Sequence, residues 1–426
     1  VNLIKIKQSI IDQQEESRTI TVSQKLIERV SAPLLNEMLT SKLIIVITGI
    51  RRSGKSTLAL QSISSKKYLY FNFDDEILGS LASEDLNDLL TIGLSIVPDA
   101  TYLVFDEIQN IEKWELFINR LHRQKYKIII TGSNSHLLSS ELSTHLTGRH
   151  LTISILPFSF KEVLRYNNFP VPTNITTKMR SKILNQFHYY LNHGGFPELA
   201  QHPPGSKLTN LYLKELYSNI IGRDIIQRKK IKNIKTLKEI ALLSLSLYSS
   251  KFTYQSIKNS CGNNSISTVK TYIDYLQESF IIFVLGPFSY RPKARISLPK
   301  KMYAVDVALV NAITGQTTSD LGKKLENLIY LELNRREKEF YYINEPSYEV
   351  DFAIKEGRSI VELIQVSWSI AEISTRDREV KALISGSKKY KATKLLIITE
   401  NEESEIVIDN YKINVIPAWK WLLNDC

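Results

Sequence analysis

Apolar and polar positions along the chain fall into three textures. In the first forty residues Leu26, Val30, Leu34, Leu35 and Met38 recur near helical spacing in a polar background. From residue 43, short apolar runs alternate with amphipathic stretches. Residues 43–48, 68–73, 102–105, 127–131 and 151–156 predict strands, and residues 56–64, 85–96 and 114–125 predict helices. Such alternation predicts a parallel sheet covered by helices, with ligand at the carboxyl ends of its strands. Pro157 closes this block. Helical periodicity then dominates: residues 159–166, most of 208–257, and 266–279 with Ser267 as N-cap. Residues 170–177 read as a loop, and Pro203-Pro204-Gly205 as a linker. Residues 280–285 and 288–290 predict a small hairpin. After Pro292 the alternation returns, with a helix at 322–336 and strands at 340–343, 350–355 and 360–368. A helix at 376–385, strands at 394–399 and 414–417 and a terminal helix complete the pattern.

The first apolar run leads into Gly49-Ile50-Arg51-Arg52-Ser53-Gly54-Lys55-Ser56-Thr57. This is G-x-x-x-x-G-K-[ST], a phosphate-binding loop between a strand and a helix. Two glycines let backbone N–H groups wrap a triphosphate, and the following helix turns its positive end towards it. Lys55 would reach the β- and γ-phosphates, and Ser56 would ligate Mg²⁺. ATP and Mg²⁺ are the expected cofactors. Tyr102-Leu103-Val104-Phe105-Asp106-Glu107 is an apolar strand ending in two acids. Asp106 would hold the Mg²⁺ shell, and Glu107 would polarise the attacking water. Residues 128–134 form a buried strand ending in Ser133 and Asn134, either of which could sense the γ-phosphate. Arg149 could neutralise transition-state charge, within the chain or in a neighbouring subunit.

Composition narrows the class. At 426 residues two to four domains are expected, and a hydrophobic fraction of 43% with 23% charged residues is that of an ordinary globular protein. Only two cysteines, Cys261 and Cys426, favour a reducing, intracellular setting and disfavour a zinc site. No apolar run is long enough to span a membrane, and residue 1 onward lacks a signal-peptide core, so a cytoplasmic protein is expected. The net charge of +11 permits contact with nucleic acid without requiring it.

The segments GIRRSGKS, YFNFDDE, YLVFDEIQNIEKWE, IIITGSNS, LTGRH and ILPFSFKEVL together resemble the AAA-type ATPases of a large prokaryotic family. In that family the ATPase precedes a domain once catalogued as of unknown function. The resemblance implies an α/β fold: a P-loop NTPase parallel sheet with a helical lid, a winged-helix-like middle domain and a PD-(D/E)xK-like, restriction-endonuclease-like C-terminal domain. The expected boundaries are a helical extension at 1–40, ATPase core at 41–157, lid at 158–205, winged-helix-like domain at 206–291 and C-terminal domain at 292–426.

In the middle segment Arg228, Lys229, Lys230, Lys232, Lys235 and Lys238 form a basic cluster. Residues 252–257 and 265–276 read as helix, turn, helix, whose second helix, around Ser267, Thr268, Lys270 and Thr271, could enter a DNA groove. The cluster would then touch phosphates.

Near the C-terminus, Glu349-Val350-Asp351-Phe352 and then residues 361–367 resemble the PD-(D/E)xK nuclease core. That core needs an Asp, then an acid and a lysine two residues apart on one strand face, to bind metal and activate water. Asp351 fits the first position, but Gln365 stands for the acid and Ser367 for the lysine. Glu362 falls on the opposite face of a regular strand, though a bulge could bring it round. Glu326 resembles an accessory acid. A degraded nuclease site is expected.

The leading expectation is Mg²⁺-dependent ATP hydrolysis coupled to conformational change in a nucleic-acid-binding protein. The alternatives are a nucleotide-dependent switch recognising a protein partner and an ATP-gated metal-dependent nuclease. DNA, a protein partner and further copies of the chain are the candidate partners; a membrane is not.

Overall fold

The structure is a computed structural model that describes residues 3–23, 26–134, 148–201, 207–262, 265–291, 297–315 and 320–424. Pro203-Pro204-Gly205, Thr147 and Cys426 lie outside the described residues. The chain divides into two compact units, residues 1–157 with 278–280, and residues 158–277 with 281–426.

The first unit holds α1 (Leu3–Ser23), α2 (Ala32–Thr40), β1 (Ile44–Thr48), α3 (Lys55–Ser62), β2 (Tyr68–Asn72) and α4 (Leu86–Ile96). It continues with β3 (Tyr102–Asp106), α5 (Trp114–Arg123), β4 (Lys127–Gly132) and β5 (His150–Ser154). The strands form one parallel sheet in the order β2-β3-β4-β1-β5. Parallel strands covered on both faces need continuous apolar runs, and all five residues of β1 are buried. Ile44 and Val46 enter one core with Leu103, Phe105 and Trp114, while Ile45 and Ile47 enter the other with Leu58, Val104 and Ile129. The register pairs Asp106 with Thr131 and Thr48 with Gly132, so these carboxyl ends share one rim.

Helix α1 closes the β2 edge with side-chain amides. Gln14 accepts from Tyr70 N–H at 3.0 Å and donates to Tyr68 C=O at 3.1 Å, and Gln13 accepts from Asn72 N–H at 2.8 Å. Such capping covers the unpaired groups of an edge strand. The helical spacing of Leu26 and Val30 is not realised: residues 26–29 have no regular structure, and Val30 lies in a turn before α2.

The second unit opens with α6 (Phe160–Tyr166), capped reciprocally by Ser159 and Glu162, and α7 (Thr177–His193). Next come α8 (Lys207–Asn219), a π-helical segment (Ile220–Gln227) and α9 (Ile234–Ser246). Residues 208–257 are therefore not one helical run. The wider π turns and the turn at 228–230 interrupt it without breaking the apolar recurrence. Then follow β6 (Ser250–Phe252), α10 (Tyr254–Ser260), α11 (Ile266–Glu278), β7 (Ile282–Leu285) and β8 (Lys300–Ala304). These strands form an antiparallel sheet in the order β6-β8-β7. The hairpin expected within 280–290 does not form; β7 pairs with β8, and Phe288 N–H donates to Tyr342 C=O at 2.7 Å. The side chain that caps α11 is Ser265, not Ser267: its Oγ accepts from Thr268 N–H at 3.0 Å.

The remainder comprises α12 (Val307–Thr314), α13 (Leu321–Arg335), β9 (Glu339–Glu345), β10 (Tyr348–Glu356), β11 (Ser359–Val366) and α14 (Ile373–Tyr390). It ends with β12 (Lys394–Thr399), β13 (Ser404–Ile408), β14 (Tyr411–Pro417) and α15 (Ala418–Leu423). The sheet order is β13-β14-β12-β11-β10-β9. Strands β9 to β11 form an antiparallel meander, α14 crosses over, and β12 returns parallel to β11. Strands β6, β8 and β13 and helix α12 are additions to the sequence expectation.

Candidate nucleotide site and the C-terminal acidic cluster

Strand β1 delivers the chain into the Gly49–Ser56 loop. Gly49 has φ +146°, and a Cβ there would lie 2.0 Å from Ile155 C=O. Only glycine lets the loop pass so close to the exit of β5. Gly54 has φ +89° and caps α3. The Lys55 ammonium is buried and donates to Ile50 C=O at 3.1 Å, curled within its own loop. Ser53 Oγ is buried and, among the described residues, has no hydrogen-bond partner. A backbone cradle with an orphaned hydroxyl is a surface shaped for an anion.

Arg29 underpins this loop. Its side chain is buried, and its guanidinium donates to Ser53 C=O and Leu156 C=O, each at 2.7 Å. It joins the loop to the chain leaving β5. The sequence offered no signal for it, because Arg29 lies outside any helix or strand.

At the end of β3, Asp106 is buried and held by two hydroxyls. Tyr70 donates to Oδ2 at 2.7 Å, and Thr131 donates to Oδ1. Burial, and then the Asp106 charge, push the Tyr70 phenol well above its usual range, so it stays a donor at neutral pH. Glu107 takes a left-handed conformation at φ +55°. Its Oε2 accepts from Ser133 Oγ at 3.1 Å and from Ser133 N–H at 3.3 Å, and also from the Gln109 amide. Neither Tyr70, Thr131 nor Gln109 was singled out from sequence. Asn134 is buried at the same end of β4 as Ser133. The loop, Asp106, Glu107, Ser133 and Asn134 thus share the carboxyl rim of the sheet. The oxygens of Ser56 and Asp106 are of the type Mg²⁺ prefers.

The family profile for an AAA domain matches residues 41–164, and that of a domain of unknown function (DUF8612) matches residues 184–320. The uncharacterized protein MJ1544 of Methanocaldococcus jannaschii is 36% identical over 395 residues, covering 89% of this chain and 88% of that protein. This chain belongs to the same family. An uncharacterized protein of Haemophilus influenzae is 29% identical over 392 residues, covering 89% of this chain and 94% of its own. Among solved structures, the Walker-type ATPase paby2304 of Pyrococcus abyssi has a TM-score of 0.44 at 14% identity, over 69% of this chain and 97% of that one. AMPPCP-bound DnaA from Aquifex aeolicus has a TM-score of 0.29 at 14% identity, over 61% and 92%. The nucleotide unit of this family member is an AAA-type P-loop domain.

Arg149 does not join the nucleotide site of its own AAA domain. It precedes β5, whose His150 pairs with Ile44 at the start of β1, and its side chain donates to Asn119 at 2.6 Å. At about 3.3 Å per residue, the length of β1 separates it from the loop. Parallel pairing puts it at the opposite end of the sheet from the loop.

Only Lys235 and Lys238 of the basic cluster lie on a helix, α9. Arg228, Lys229 and Lys230 form a turn after the π segment, and Lys232 is exposed before α9. Lys229 lies over the Tyr275 ring of α11 at 4.8 Å. Lys270 and Lys300 both lie over Tyr254 at 5.4 Å, and burial, with Lys270 nearby, lowers the Lys300 pKa. The turn and α11 therefore present one basic, aromatic surface.

In the C-terminal sheet Glu326 and Asp351 do come together, around a residue the sequence did not suggest. Lys301, on β8, lies 3.0 Å from Glu326 Oε1, 2.8 Å from Glu349 Oε1 and 2.8 Å from Asp351 Oδ1. Burial alone would lower the Lys301 pKa, but Asp351, Glu326 and Glu349 raise it well above the usual lysine value. Burial pushes Glu326 up to about 7 against the pull of Lys301. Gln365 accepts from Asp351 N–H at 2.7 Å and donates to Glu379 at 2.6 Å. Ser367 turns to Ser369 C=O and joins neither acid. Glu362 is on the other face, with Lys394 and Lys338 as its charged neighbours.

Proposed function

We propose that this protein hydrolyses ATP with Mg²⁺ and uses the cycle to change conformation on nucleic acid. The observation that carries the hydrolytic reading is the convergence of Asp106, Glu107, Ser133 and Asn134 on the rim that bears the phosphate loop. Lys55 and the loop N–H groups would bind the β- and γ-phosphates, with Ser56 and Asp106 holding the metal. Bound Mg²⁺ supplies charge neutralisation on the phosphates. Glu107 accepts from Ser133 and would exchange that bond for the attacking water. Asn134 would fix the γ-phosphate. Arg149 would act only on the site of a second copy.

The domain boundaries expected from sequence, with a lid at 158–205 and the C-terminal domain from 292, belong to the same proposal. A winged-helix reading of 206–291 is supported by the order α9-β6-α10-α11-β7, although the central strand of its three-stranded sheet, β8, lies past residue 291. The basic surface around α11 supports DNA as the ligand. A restriction-endonuclease-like reading of the C-terminal domain is supported by the α13-β9-β10-β11-α14-β12 order.

The test is the ATP hydrolysis rate at low salt with and without duplex DNA, against Lys55→Ala as background. Stimulation by DNA is expected. A wild-type rate above background but indifferent to DNA would point to a protein-partnered switch instead. A rate equal to Lys55→Ala would overturn the proposal.

A further inference from the structure

A metal-dependent nuclease of this sheet order needs carboxylate oxygens free to coordinate a divalent cation. Among the described residues, five of the six carboxylate oxygens of Glu326, Glu349 and Asp351 face protein donors, all but Glu326 Oε2. Glu326 Oε1 accepts from Lys301 and from the Tyr303 hydroxyl at 2.7 Å. Glu349 gives Oε1 to Lys301 and Oε2 to Lys251 at 2.5 Å. Asp351 gives Oδ1 to Lys301 and Oδ2 to Val366 N–H at 3.0 Å. One ammonium thus meets three carboxylates, from α13 and β10, donating to Glu326 and Asp351 and ion-paired with Glu349. The Lys301 side chain is only 4% exposed, so water does not compete for those bonds. Gln365 adds to the mismatch. Its amide donates to Glu349 C=O at 3.1 Å and to Glu379, and a carboxylate there could do neither. These residues do not fit a resident Mg²⁺.

We propose that the Lys301 ammonium is the built-in cation of this cluster, taking the place of a divalent metal and closing the site to it. The two sequence departures, Gln365 and Ser367, then belong with a third residue that sequence alignment along β11 cannot reveal. The lysine also ties β8 to β10, so one buried charge network fastens the three-stranded sheet to the six-stranded one. Removing one partner of such a network leaves uncompensated buried charge. A divalent cation should therefore replace the missing ammonium. This inference stands apart from the ATPase proposal and does not need it.

The experiment is a Mn²⁺ titration of the nucleotide-free full chain, followed by the electron paramagnetic resonance of free Mn²⁺. Asp351→Asn defines which binding belongs to the cluster. Wild type is expected to show no Asp351-dependent Mn²⁺ binding at millimolar concentration. Lys301→Met is expected to gain one Asp351-dependent site, at least about tenfold tighter than any in wild type, and to have its thermal midpoint raised by Mn²⁺. If Lys301→Met does not fold alone, Lys301→Met with Glu349→Gln removes a negative charge with the positive one and keeps Glu326 and Asp351. It is expected to bind Mn²⁺ likewise. Asp351-dependent Mn²⁺ binding by wild type would overturn the proposal, as would a folded Lys301 variant that binds none.

Discussion

Arg29→Met tests whether the phosphate loop depends on a residue outside its own motif. The substitution keeps the apolar bulk of the stem and removes the guanidinium. Two charge-assisted hydrogen bonds at 2.7 Å are lost, to Ser53 C=O and Leu156 C=O. Each such bond contributes about 1.5–3 kcal/mol, so the folded state should lose about 3–6 kcal/mol if neither carbonyl finds another donor. Part of that falls on nucleotide binding, because Ser53 lies in the loop and Ile155 is in close contact with Gly49. Releasing the strut lets these two segments separate. A tenfold loss of ATP affinity, about 1.4 kcal/mol, is the minimum expected. Arg29→Lys keeps the charge, but a point donor does not reproduce the planar fork that spans two carbonyls, so it should recover at most about half. Urea denaturation gives the stability, and titration with a fluorescent ATP analogue gives the affinity. Arg29→Met within 1 kcal/mol of wild type in stability, with unchanged ATP affinity, would refute the reasoning.

Three further outcomes are expected. Gly49→Ala places a Cβ 2.0 Å from Ile155 C=O at φ +146°, and should abolish ATP binding measured by the same titration. Asp306 is buried, and desolvation raises its pKa from 3.8 to about 6 against the opposing N–H groups of Gly195, Leu309 and Ala308. Its folded pKa lies above its unfolded one, so its stabilisation is present below pH 3.8 and is lost as pH rises to about 6. Wild type should therefore lose about 2–3 kcal/mol relative to Asp306→Asn between pH 4 and 7; a constant or opposite difference would contradict this. Lys270→Ala should weaken duplex binding and lower the slope of log affinity against log salt by about 1, whereas unchanged binding would remove α11 from the interface.

The phosphate loop and the acidic strand end were legible because their chemistry lies in contiguous residues, each attached to a strand that its own apolar run reveals. Arg29 was not, because it works across 24 residues to Ser53 and 127 to Leu156. Arg149 looked suitable by proximity along the chain to Ser133 and Asn134. Only the parallel register of β5 on β1 shows it at the wrong end of the sheet. The expected hairpin at 280–290 failed because the partner of β7 lies beyond a long connection. Lys301 escaped notice for the same reason. Residues 300–304 make a short strand whose lysine acquires meaning only when β10 and α13 pack against it. Asp351 and Glu326 were found through resemblance to the nuclease core, but resemblance could not supply the cation between them.

The central claim is that Glu107 activates water for attack on a nucleotide held by the loop around Lys55. Glu107→Gln separates the chemical step from binding. Single-turnover hydrolysis with Mg²⁺ at pH 7.5, alongside ATP affinity, measures both. The account predicts near wild-type affinity with hydrolysis reduced by about 100-fold or more, within the range a positioned general base supplies. Hydrolysis by Glu107→Gln at the wild-type rate would contradict it.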